Sequence, residues 1–153
     1  MREPRRGREK LGRLLPWAGL LLMVVAGIGC TRKPQGAASA REAVTLFLAR
    51  LAAKDCEGAA KLVAWAEMAR DSNPDWDTFP SSQRQLILDK VRSENMSVLQ
   101  ALAAALAQDS SQPTPQPAGA PDLFLVQILG QPLLIQAVET DTGWLVLLRN
   151  WSL

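Results

Sequence analysis

Cys30 stands where sixteen uncharged residues, 14–29, give way to polar sequence. A thiol at that boundary poses one question: does the apolar run cross a membrane, get cut away, or deliver the cysteine to a lipid? The other groups able to do chemistry are carboxylates. Glu67, Asp71, Asp75 and Asp77 gather near the end of a predicted helix and could form an acid/base site. Asp71, Asn73, Asp75 and Asp77 also alternate like the start of a calcium loop. That pattern fails where coordination needs it, with Trp76 at the glycine position and Ser82 at the bidentate position. A solvated acidic loop over 71–80 is the expectation. Cys56 lies among alanines of a predicted helix and reads as a small buried residue. The chain has no histidine and no tyrosine. Imidazole acid/base catalysis, histidine-activated serine or cysteine nucleophiles and imidazole metal sites are thereby excluded.

A membrane-spanning helix needs about 20 apolar residues, at ~1.5 Å each across a ~30 Å hydrocarbon layer. The run 14–29 is shorter and contains Pro16. It follows Arg2, Arg5, Arg6, Arg8, Lys10 and Arg13 and ends in small residues, the three parts of a secretory signal. "AGIGC", residues 26–30, resembles the lipobox of bacterial lipoproteins, with Gly29 before the cysteine and Gly27 where a leucine is usual. The resemblance implies diacylglyceryl attachment to the thiol of Cys30, cleavage just before it and acylation of the new amino terminus. Residues 1–29 are then a signal peptide and 30–38 a lipidated tether. Several acyl chains make an anchor that one alone does not. Thr31, in place of an aspartate, implies an outer-membrane destination facing the periplasm. A rival small-x-small cut at 38–40 would remove Ser39, a helix cap.

Cleavage inverts the charge. Six of the seventeen Lys+Arg and two of the fifteen Asp+Glu leave with residues 1–29, so a net +2 becomes −2. No basic cluster survives to suggest nucleic acid. Arg32 and Lys33 remain beside the lipid, where they meet anionic headgroups. One domain is expected over 39–153.

Positioning falls to helices first and strands last. Ser39 and Glu42 form a capping box opening a helix over 39–53. Val44, Phe47, Leu48 and Leu51 make its apolar stripe. Asp55 caps a second helix over 56–70, and the break between the two gives a helical hairpin. A third helix covers 82–107, with a kink at 93–97. Its second half lacks charge, which implies burial or a partner. Four prolines make 108–121 a loop. Three strands follow, 122–129, 132–139 and 143–151, joined by a turn at Gly130 and Gln131 and another at 140–143. The expected fold is α+β with a three-stranded antiparallel meander.

Helices before a curved sheet, "VTLFLARLAAKDCEGAAKLV" at 44–63 with Phe47, Leu48 and Leu51, and "TDTGWLVLLRNW" at 140–151 with Gly143, Trp144 and Val146, resemble the nuclear-transport-factor-two-like superfamily. The resemblance implies a cone-shaped domain, from which the long helix and the three visible strands depart. Enzymes of that fold use a carboxylate base with hydroxyl or acid donors. Without tyrosine, and with Glu139 and Asp141 at a turn, no catalytic residue is carried over. A non-enzymatic, lipid-anchored envelope lipoprotein is the expected function, with no cofactor and no metal. It would bind a protein partner or a small apolar ligand. Trp144, Val146 and Leu148 share one strand face that could line a concavity with Trp65, but core packing is the favoured reading of these residues. The alternative is an enzyme with a carboxylate site on the cone.

Overall fold

The structure is a computed structural model that describes residues 36–110 and 112–148. Cys30, the leader, the tether to residue 35 and the expected strand end at 149–151 lie outside the described residues.

Helix α1, Ala40–Ala52, forms as its capping residues dictate. Ser39 Oγ accepts the Glu42 amide at 3.2 Å, and the Glu42 carboxylate accepts the Ala38 amide at 2.8 Å, one residue beyond the usual reciprocal bond. The stripe Val44, Phe47, Leu48 and Leu51 is buried. The helix closes when the amides of Lys54 and Asp55 reach back to the carbonyls of Leu51 and Arg50. Lys54 sits in the left-handed region at φ 60°. Asp55 then caps α2, Cys56–Ala60, accepting the Gly58 amide at 2.8 Å. That bond, with Arg50 nearby, holds the Asp55 carboxyl below its ordinary 3.8. A depressed carboxylate stabilises the fold at neutral pH and loses that contribution as acid protonates it.

The expected helix over 56–70 is two helices. After α2 the chain turns at 61–62, Val63 makes an isolated bridge, and α3 runs Trp65–Ser72. No glycine or proline marks the break. It arises because Val63 pairs in parallel with Val146 of the sheet. The Val146 amide donates to the Leu62 carbonyl at 2.8 Å, and the Ala64 amide to the Val146 carbonyl at 2.9 Å. Tertiary pairing overrides a good local helix propensity there.

The loop after α3 contains a 3-10 turn, Trp76–Thr78, whose Trp76 is 4 % exposed. It is therefore built around a buried indole, while its carboxylates remain in water. Helix α4, Ser81–Gln108, is unbroken through 93–97. The hydroxyls of Ser93 and Ser97 bond back to the Lys90 and Glu94 carbonyls without ending it.

The sheet has four antiparallel strands in the order β1-β2-β3-β4, not three: β1 Gln116–Pro117, β2 Leu123–Ile128, β3 Gln131–Thr140 and β4 Gly143–Leu147. The extra strand lies inside the expected proline-rich loop. Proline is tolerated at a sheet edge because its missing amide costs no ladder bond, and Ala118 supplies the amide to the Leu123 carbonyl instead. The register places Phe124, Val126, Ile128, Ile135, Ala137 and Val146 on one face, all buried in a single core with Phe47 and Leu51 of α1 and Leu99 and Leu102 of α4. The opposite face is also apolar, and Leu134 there is 53 % exposed.

The β2–β3 turn lies at Leu129 and Gly130, one residue earlier than expected. Both have positive φ, 51° and 77°, as a two-residue hairpin of right-handed twist requires. The Leu129 amide is held by the Asp109 carboxylate at 2.6 Å. Leucine is a poor left-handed residue, so Leu129→Asn should stabilise the domain by about 1 kcal/mol. Chemical denaturation checks this; an unchanged or lower midpoint would contradict the turn geometry.

Candidate functional site

The main cleft, of about 470 Å³, has three walls. One face of α4 contributes Gln85, Leu88, Asp89 and Arg92, spaced i, i+3, i+4, i+7 so that they line up along the helix. Helix α3 contributes Trp65, Ala66, Glu67 and Arg70. The β3–β4 turn supplies Thr140, Asp141 and Thr142, while Val63, Ala64 and Leu145 form an apolar floor. The α3 wall stands where it does because 62–64 is pinned to β4, which starts α3 directly beside the sheet.

Both arginines of this cleft are in ion pairs. Arg70 donates to both oxygens of Glu67 at 2.7 Å, and its Nε lies 4.0 Å from Asp77. The Glu67 bond, and then the charges of Glu67, Asp77 and Asp141, bind the guanidinium proton more firmly than usual. Arg92 of α4 pairs with Glu57 of α2, and Gln85 donates to Asp89 at 2.9 Å. Among the described residues no charged or polar side chain belongs to the buried class. The charges of this rim are therefore solvated and screened.

The core reading of the Trp144 strand face holds, and no concavity joins it to Trp65. Val146 and Leu148 are buried in the core, and Trp65 and Trp144 line different clefts. The Trp65 indole donates to the Ala60 carbonyl at 2.8 Å, closing the end of α2. Trp144 borders a second cleft, of about 390 Å³, with Phe124, Pro117, Pro121 and Arg41. There the Arg41 guanidinium lies 5.9 Å from the Phe124 ring centroid and donates to the Pro115 carbonyl at 3.2 Å.

Of the four expected carboxylates, Glu67 lines the main cleft and Asp77 reaches Arg70 from outside it. Asp71 ends α3 at an exposed position, and Asp75 is exposed before the 3-10 turn. They do not converge on one cavity. The described residues hold no cluster of three or more His, Cys, Asp or Glu suited to a metal ion. Cys56 is half-buried rather than buried, its Sγ 3.9 Å from the Leu99 carbonyl. Sequence reasoning missed Arg70 and Arg92. The i, i+3 spacing of Glu67 and Arg70 was a legible signal for the first; nothing local marks the second, whose partner is 35 residues away.

Exposed pairs contribute little, so Arg70→Gln should change stability by less than about 1 kcal/mol. Its coupling to Glu67→Gln in a double-mutant cycle should be about 0.5 kcal/mol. A coupling of several kcal/mol would make the cleft a structural network instead. No family model, curated protein or solved structure matches this chain, so the cleft's residues are themselves the basis for a functional reading.

Proposed function

We propose that this chain is a bacterial envelope lipoprotein, anchored through acylated Cys30, whose domain binds a protein partner without catalysing a reaction. The leader that ends in "AGIGC" supports the anchor. The observation that carries the binding reading is the main cleft itself: an apolar floor of Val63, Ala64 and Leu145 beneath exposed charges of both signs, with Arg70 paired to Glu67 and Arg92 to Glu57. A partner exchanges such pairs for its own at little cost while covering the floor, where burial is worth about 25 cal/mol per Å². The second cleft favours the other reading, a small apolar ligand, because Trp144 and Phe124 share it with two prolines. Helices followed by an antiparallel meander are also what a cone of the nuclear-transport-factor-two-like kind would be built from, and that shape belongs to the reading. The destination proposed is the outer membrane, facing the periplasm.

Intact mass of protein extracted from membranes should correspond to a chain starting at Cys30 with added acyl mass. A photo-crosslinking residue at Leu88 should trap an envelope protein that the same residue at Gln131 does not. An unmodified product beginning elsewhere contradicts the anchor, and equal trapping at both positions contradicts the cleft.

A further inference from the structure

Gly36 is six residues beyond Cys30, and its position on the domain is fixed. Its amide donates to the Thr142 carbonyl at 2.6 Å, and Ala37 exchanges bonds of 3.0 and 2.9 Å with Trp144. The contact is backbone against backbone. A Cβ on Gly36 would lie 2.7 Å from the Gly143 carbonyl carbon, and one on Gly143 would lie 2.8 Å from that of Gly36. The next outward-facing position of β4, Val146, is already occupied by 62–64. The chain therefore joins the domain at the β3–β4 turn.

Six residues span at most about 20 Å, at ~3.3–3.6 Å each. Strand β3 runs away from that turn for ten residues, Gln131–Thr140, or about 33 Å at ~3.3 Å per residue. The tether is thus shorter than the strand. Resting on the lipid anchor proposed above, we infer that the domain stands on the bilayer with one end down. The turn at 140–143, and with it the cleft bordered by Asp141, Thr142, Arg70 and Leu88, faces the headgroup layer. The turn at Leu129 and Gly130 faces away. The interaction surface is this membrane-facing end, its partner is the lipid headgroup layer, and the cleft opens within reach of whatever lies in that layer.

The test uses full-length, membrane-inserted protein in a Cys56→Ser background, reconstituted in phosphatidylcholine–phosphatidylglycerol vesicles. Two exposed positions, Asp141→Cys and Gln131→Cys, carry the same fluorophore, and the quencher is a nitroxide on the lipid headgroup. Quenching at position 141 should exceed that at 131 by about twofold or more, given their ~30 Å separation along the strand. Inserting about 20 Gly/Ser residues after Thr31 should bring the ratio toward one, because such a linker has an end-to-end distance of about 25 Å and a longer reach. Equal or reversed quenching, with acylated Cys30 verified by mass, overturns the orientation and leaves the anchor standing. Unacylated Cys30 overturns both.

Discussion

The outer edge of β4 is the constraint on which most of this domain depends. A strand at a sheet edge presents unpaired amides and carbonyls that must be met or left open to other chains. Here the outward groups of Trp144 are met by Ala37, and those of Val146 by Leu62 and Ala64. One segment runs antiparallel and the other parallel, and neither is long enough to be a strand. Satisfying Val146 breaks the second helix, redirects the chain into α3 and so builds one wall of the cleft. Satisfying Trp144 brings the tether onto the sheet through the contact of Gly36 with Gly143, whose φ of 118° suits glycine alone.

Behind that edge, stability is hydrophobic. Helix α1 lies between the sheet and α4, burying Val44, Phe47, Leu48 and Leu51. Charged residues stay in water, and their pairs join neighbouring turns of one helix, a helix and the segment after it, or, for Arg92 with Glu57, two helices. Exposed pairs of this kind are worth about 0–1 kcal/mol each. The division leaves the rim of the main cleft chemically available, because the fold does not rest on the charges displayed there. In α4 the same division runs along the helix. Leu99, Leu102 and Leu106 are buried, whereas Leu86 near its start is 71 % exposed.

What was legible in the sequence follows interaction range. The capping of α1 by Ser39 and of α2 by Asp55, the apolar stripe of α1 and the hairpin joining two strands near Gly130 involve residues a few positions apart, and the structure has them. The break at 61–64 was not legible, because its cause, Val146, is 83 residues from Val63. Strand β1 hid in a proline-rich segment whose extended backbone needed only a neighbour, Phe124 and Leu125, to become a sheet edge. The choice between core and concavity for Trp65, Val146, Leu148 and Trp144 has a related limit. Periodicity gives the strand face, but only packing decides which members of that face are covered by α1.

Amide hydrogen exchange at Trp144 and Val146 is the most direct test of the edge closure. Both amides should exchange as slowly as that of Ala137, which is bonded inside the sheet to the Asp122 carbonyl. Exchange at Trp144 and Val146 as fast as at an open strand edge, with Ala137 still protected, would contradict the account.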